Sequence, residues 1–178
     1  MRRQLPPRSW WNAISGAVAA WVLALAPAAH ADSVSIPATG TIVSSCSLAL
    51  ASNFPAANFS ATGNISATAT VNCNTAFSIS ATSAKGAVKT ANATSAGFTN
   101  SLPYGFSLSV PLDSGGPAAK NCTSSALLAN SCSVTSGGAL ATNKTATLGV
   151  AWTQPALPTR LVGGSYTDTI TLSIAAAP

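Results

Sequence analysis

Four cysteines have the most distinctive side-chain chemistry in this chain: Cys46, Cys73, Cys122 and Cys132. Thiols can bind zinc or form disulfides. Zinc is disfavoured because no Cys-x-x-Cys pair occurs and no histidine follows residue 30. An even number of cysteines in an exported chain favours two disulfides, for which three pairings exist. Pairing near neighbours favours Cys46–Cys73 with Cys122–Cys132.

Acid–base catalysis has little support in the composition. The chain has one histidine, His30, no glutamate, and three widely spaced aspartates, Asp32, Asp113 and Asp168. The usual general bases are therefore missing, and a Ser-Asp-Lys arrangement is possible only formally. We predict a protein that is not an enzyme and that needs no cofactor or metal.

Asp168 is the most unusual charged residue, because its register is otherwise apolar: Tyr166, Ile170, Leu172 and Ile174. One interpretation is a buried carboxylate with a cationic partner such as Arg160. The other is a rim residue that reaches water or caps backbone amides, and we favour it. Trp152 raises a similar choice between a sugar-stacking platform and a core residue, and its place at the end of an alternating strand favours the core.

The first 31 residues have the three-part layout of a secretory signal peptide. A basic start is followed by an apolar stretch from Ala13 to Ala26 and by small residues at Ala29 and Ala31. The alternative is a membrane anchor, but a span needs about 20 apolar residues. We predict cleavage after Ala31, with Asp32 as the first mature residue.

The mature chain has little charge. Five basic residues stand against three aspartates, a net charge of +2. No basic patch favours nucleic acid as a partner. The chain is rich in Ala, Ser, Thr and Asn, but its apolar residues recur regularly, which argues against disorder.

The recurrence has a period of two, the spacing of β-strands with one buried face. The alternating segments are Ala67–Cys73, Phe77–Thr82, Tyr104–Val110, Ala146–Trp152 and Tyr166–Ile174. Their second faces are rich in Thr and Ser, which is typical of antiparallel sheets wet on one side. The sequence predicts an all-β, antiparallel β-sandwich.

The connections between these segments are uneven. We expect residues 83–100 to be a surface loop or a strand-poor excursion, and residues 112–116 to turn. Residues 124–130 are compatible with one helical turn. Thr153 to Gly164 contains two prolines and a glycine pair, so it should cross between strands without joining a ladder.

Two stretches resemble a known family. "GGSYTDTITLSI", residues 163–174, resembles the closing Gly-x-Tyr-x-Asp-x-aliphatic-x-aliphatic strand of the spore coat protein U family, which includes subunits of archaic chaperone–usher pili. "CSLALASNFPAANFSATGNISATATVNC", residues 46–73, resembles that family's first half, from an opening cysteine to a strand that ends at a second one. The two stretches and the "FSISA" that follows cover about half of the mature chain.

The resemblance implies an immunoglobulin-like sandwich that lacks its last strand. In that family a periplasmic chaperone lends a strand, and the N-terminal extension of the next subunit replaces it as an outer-membrane usher assembles the fibre. It implies a signal peptide at 1–31, an extension at 32–45 and a sandwich at 46–178. The protein would be exported through the periplasm to a surface pilus, with neighbouring subunits as partners. The acceptor edge would be Tyr166, Ile170, Leu172 and Ile174.

Residues 33–43, "SVSIPATGTIV", are the candidate donor strand. One register is apolar and would enter the acceptor groove: Val34, Ile36, Ala38, Gly40 and Ile42. The alternative is that this segment is the first strand of its own domain. A second hypothesis for the whole protein is a secreted or tip-located binding module, and a third is a small hydrolase, which the missing bases oppose.

Overall fold

The computed structural model describes residues 39–177. The chain divides into the units Met1–Gly40 and Thr41–Pro178, and the fold below is that of the second unit. The predictions for the signal peptide and its cleavage site, and for the donor residues Val34, Ile36 and Ala38, lie outside the described residues.

The second unit is built almost entirely of strands, as the alternating pattern predicts. The strands are β1 (Cys46–Leu50), β2 (Gly63–Cys73), β3 (Phe77–Ser83), β4 (Val88–Lys89), β5 (Phe98–Thr99), β6 (Ser101–Leu102), β7 (Tyr104–Val110), β8 (Ala118–Thr123), β9 (Cys132–Thr135), β10 (Ala141–Trp152), β11 (Arg160–Leu161) and β12 (Ile170–Ala176). One short helix, α1 (Ser124–Leu128), lies between β8 and β9.

Two antiparallel sheets form a sandwich-like fold. The first has the strand order β1-β2-β10-β7-β8, and the second has the order β12-β3-β9. Apolar residues at alternate positions of these strands meet between the sheets, and Leu102 of β6 and Leu127 of α1 join them in the core. The largest fully buried residues are Phe77, Phe106, Ile79, Leu102, Leu127 and Leu148. The Ser/Thr-rich faces point outward, because strands place successive side chains on opposite faces.

The sandwich has two ends that recur below. The Cys46 end contains Cys46 opposite Cys73 in the β1–β2 register, and β12 ends there with Ala176 opposite Phe77. The Trp152 end contains Trp152 opposite both Gly63 of β2 and Tyr104 of β7.

The last strand begins later than predicted. β12 starts at Ile170, so Tyr166 and Asp168 precede it. The reason is that β3 ends at Ser83, which leaves the backbone before Ile170 without a ladder partner on that strand. Thr167 instead forms a single bridge with Lys89.

The connections confirm some expectations and correct one. The helical turn is present as α1, and residues 83–100 contain little strand. The prediction that Thr153–Gly164 joins no ladder is wrong. Arg160 and Leu161 pair in parallel with Phe98 and Thr99. The pairing begins after the second proline of the segment, where the amide of Arg160 donates to the Gly97 carbonyl at 2.9 Å.

The cysteines form the disulfides Cys46–Cys73 and Cys122–Cys132, the pairing that the sequence favours. The first joins β1 to β2, and the second closes the segment that contains α1. Two disulfides indicate an oxidising environment outside the cytosol. In the described part of the chain, no helix has the length and apolar character needed to cross a membrane.

Candidate functional site

One side of the sandwich opens into a groove of about 1220 Å³. The edge strands on this side are β1 of the five-stranded sheet and β12 of the three-stranded sheet. An edge strand has a row of backbone N–H and C=O groups without a partner in its own sheet, so it is able to pair with another chain.

The floor of the groove belongs to the central strands. Ile65 and Ala67 of β2 and Leu148 and Val150 of β10 line it. These residues lie side by side because β2 and β10 are antiparallel, with Leu148 opposite Ala67 and Val150 opposite Ile65. The inward register of both strands is apolar, so the floor offers no hydrogen-bonding side chain.

β12 forms one wall. Ile170 and Leu172 line the groove, as does Tyr166, which precedes the strand. Ile174 lies on the same face and packs against the core, but it does not line the groove. All four are only partly buried. The groove therefore extends along the first half of β12.

Aromatic residues and loops build the rim at the Trp152 end. The Phe59 ring meets Trp152 edge-on, with centroids 4.8 Å apart, and lies 6.2 Å from Tyr166. The Tyr166 hydroxyl donates to the carbonyl oxygens of Val162 at 2.8 Å and Thr99 at 3.2 Å. Trp152 is a core residue, 6% exposed, whose Nε1 donates to the Ala61 carbonyl at 2.7 Å.

Asp168 lies at the wall and ties the two sheets together. Its Oδ2 accepts hydrogen bonds from the Tyr104 hydroxyl of β7 at 2.7 Å and the Ser83 hydroxyl of β3 at 2.6 Å. Its Oδ1 accepts from the amides of Lys85 at 3.0 Å and Thr169 at 2.7 Å. The amide-capping interpretation accounts for Oδ1, whereas the partnership with Arg160 is not observed.

Burial raises the pKa of the Tyr104 phenol well above its usual value, and the Asp168 carboxylate beside it adds to the rise. The phenol is therefore a stable donor at neutral pH. Far from the groove, the ion pair with Lys144, at 2.9 Å, and a hydrogen bond from Thr142 lower the pKa of Asp113. The two carboxylates thus have different partners: Asp168 binds Tyr104 and Ser83 at the groove, and Asp113 binds Lys144 and Thr142 elsewhere.

The groove combines an apolar floor with an unpaired strand edge. The described residues include no group of three potential metal ligands and no free cysteine. Asp168 and Tyr104 use their polar atoms on each other, and Asp168 also accepts from Ser83 and from two backbone amides. An apolar floor beside an unpaired strand edge suits an extended apolar segment.

The segment before β1 is held at the Cys46 end by Asn74. The Asn74 side chain accepts from the Ser45 amide at 2.7 Å and donates to the Val43 carbonyl at 3.0 Å. Ile42 and Val43 are 90% and 82% exposed. Gly40 and Ile42, the donor residues that the structure describes, lie in no strand.

Two parts of this site escaped sequence reasoning. The partners of Asp168, Tyr104 and Ser83, are 64 and 85 positions away in the chain. The sequence contained only a weak indication of these partners, because Tyr104 begins one alternating segment and Ser83 lies at the end of another. The rim residue Phe59 lies in a loop without periodicity, so only the fold brings it to the groove.

No protein-family model matches this chain, and no curated protein matches it. The resemblance to the spore coat protein U family therefore stays a prediction.

Proposed function

We propose that this protein is an exported structural subunit of a bacterial surface fibre, assembled when a strand from a neighbouring copy enters the groove. The observation that supports this proposal most is that an edge strand without a partner lies beside an apolar groove floor. β12 is an edge strand whose inward residues Ile170 and Leu172 stay partly exposed beside a groove of about 1220 Å³.

The physical argument is that such an edge is unstable in isolation. Exposed apolar strand edges promote aggregation, so proteins usually cover or charge them. β12 has no charged residue between Ile170 and Ala176. A strand laid along it would pair the free backbone groups, and alternate side chains of that strand would fill the groove.

Residues 33–43 are the proposed donor strand. Val34, Ile36, Ala38, Gly40 and Ile42 form its apolar register, and Pro37 lies on the other register. Before assembly a periplasmic chaperone would cover the same edge, and an outer-membrane usher would direct the exchange. Both partners come from the resemblance to the spore coat protein U family, and the unpaired edge of β12 gives a physical reason to cover it during export.

The experiment uses the exported full chain. Native subunits held by donor strands should run as a ladder on a gel without boiling and collapse to one band on boiling. Ile36→Asp should abolish the ladder and leave a folded, chaperone-bound monomer, because the apolar floor of the groove offers a buried carboxylate no hydrogen-bonding side chain. Ser35→Asp is the matched control, since its side chain belongs to the opposite register, and it should still assemble.

A normal ladder from Ile36→Asp would contradict the donor assignment. Unfolding of the Ile36→Asp monomer would contradict it as well, because this segment would then belong to its own domain.

A further inference from the structure

We propose that an apolar loop surface at the Trp152 end receives the Val43–Ser45 segment of a second copy of this chain. The loop surface consists of Phe98, Ala156, Leu157 and Pro158, and all four are exposed. The proposal rests on the function proposed above and adds a contact at the mouth of the groove.

The loop surface combines β5, which contains Phe98, with the connection between β10 and β11, and backbone hydrogen bonds hold the two together. The amide of Arg160 donates to the Gly97 carbonyl at 2.9 Å, and the amide of Val162 donates to the Thr99 carbonyl at 2.9 Å. Phe98 is 44% exposed and Leu157 is 75% exposed. Isolated exposed apolar residues are ordinary, but these two lie on joined loops, and Leu157 also lines the groove.

The shape of the groove favours departure of the incoming strand at the Trp152 end. Each copy's own extension departs from the Cys46 end, where three hydrogen bonds of 2.7–3.1 Å between Asn74 and Val43 or Ser45 hold it. β12 is tied down at that end by the hydrogen bond of 2.7 Å from the Ala177 amide to the Ala76 carbonyl, and it lies close to β1. The groove lining instead continues to Leu157 and Arg160 at the Trp152 end.

The connection between the donor strand and its own domain is very short. Two residues, Ser44 and Ser45, separate Val43 from Cys46. Three extended residue steps span at most about 10 Å, so the sandwich of the donor must touch the mouth of the groove that its strand enters. The first apolar side chain outside the groove is Val43, and the loop surface is the apolar patch at that mouth.

The contact joins unlike surfaces of successive copies. The Cys46 end of one copy meets the Trp152 end of the next, and such a heterologous contact generates an open chain of subunits and not a closed pair. Because the Asn74 hydrogen bonds hold the linker on one side and the loop surface holds it on the other, the junction should bend little.

Cysteine cross-linking tests this contact in the exported full chain, since the described native cysteines are all in disulfides. Val43→Cys combined with Leu157→Cys should give a ladder that survives boiling and collapses on reduction. Val43→Cys combined with Ala175→Cys is the matched control, because Ala175 is exposed near the end of β12. This control pair should give no boiling-resistant ladder.

The outcomes separate the two proposals. If the wild-type chain forms a heat-sensitive ladder but cross-linking occurs through Ala175→Cys, or with neither pair, the loop-surface contact is wrong and the groove function stands. If the wild-type chain forms no ladder at all, both proposals are wrong.

Discussion

The two sides of this sandwich solve the same edge problem differently. On one side, β8 and β9 are joined by the Cys122–Cys132 disulfide and by α1, whose Leu127 is 0% exposed. On the other side, β1 and β12 border a groove whose residues Ile170 and Leu172 remain partly exposed. The chain covers the β8–β9 side with its own residues and leaves the groove on the β1–β12 side open.

The same contrast separates two strands of similar sequence. β7 and β12 are both seven residues long and both alternate apolar and polar residues. β7 has neighbours on each side, and its inward residues are all buried, whereas no inward residue of β12 is fully buried. Alternation thus identifies the face of a strand, while burial depends on what covers that face, since the edge strand β9 has buried inward residues as well.

The largest expected effect compares a leucine on each side. Leu127→Ala on the closed side should lower the free energy of unfolding by about 3–5 kcal/mol, because it creates a cavity in a fully packed position. Leu172→Ala on the open side should cost about 1–2 kcal/mol in the monomer, since its side chain is only partly buried. Urea denaturation of both variants measures the difference.

Assembly should increase the cost of Leu172→Ala and leave the cost of Leu127→Ala unchanged. If a donor strand covers Leu172, Leu172→Ala should weaken assembled material more than it weakens the monomer, and Leu127→Ala should affect both alike. Equal costs for Leu172→Ala in the two forms would break the distinction between the two sides.

The disulfides give the next largest effect. In the loop-entropy description, the Cys46–Cys73 bridge closes 27 residues and should contribute about 3.6 kcal/mol. The Cys122–Cys132 bridge closes 10 residues and should contribute about 2.7 kcal/mol. Thermal denaturation of the two double Cys→Ser variants should therefore show the greater loss for the Cys46–Cys73 pair, and the reverse order would contradict this account.

Removal of the Asp168 carboxylate should destabilise the open side. Asp168→Ala leaves the Tyr104 and Ser83 hydroxyls without their acceptor, at a cost of about 1–3 kcal/mol. Asp168→Asn keeps one oxygen and should lose less. Asp113→Ala, which alters an exposed ion pair, is the control and should have the smallest effect on chemical denaturation.

The smallest effect is a pH dependence at the same cluster. The folded-state pKa of Tyr104 is raised, so its stabilisation is complete below the ordinary phenol value of about 10 and is lost as pH rises above it. Tyr104→Phe should flatten the decline of the unfolding free energy in alkali. Tyr166→Phe retains Tyr104 and should keep most of that decline, and an equal flattening in both variants would contradict the assignment.

Local sequence patterns predicted much of this fold. The features that they did not predict depend on contacts between residues far apart in the chain. The alternation of residues 104–110 predicted β7 to its bounds, and near-neighbour pairing predicted both disulfides. The predicted start of the last strand, at Tyr166, was wrong because β12 begins opposite Ser83, where β3 ends. The Asp168 partners were missed because a hydrogen bond across 64 positions leaves no periodic signal. The same alternation correctly predicted that Ile170 and Leu172 share one face of β12.

Hydrogen exchange along β12 tests the central claim most directly. In the monomer, one set of alternate amides between Ile170 and Ala176 bonds to β3, and the other set points away from the sheet. Assembly should slow exchange of the outward set markedly, while the edge strands β8 and β9 on the closed side should exchange as before. If the outward amides of β12 exchange equally fast in monomer and assembled material, no strand from another chain completes this edge.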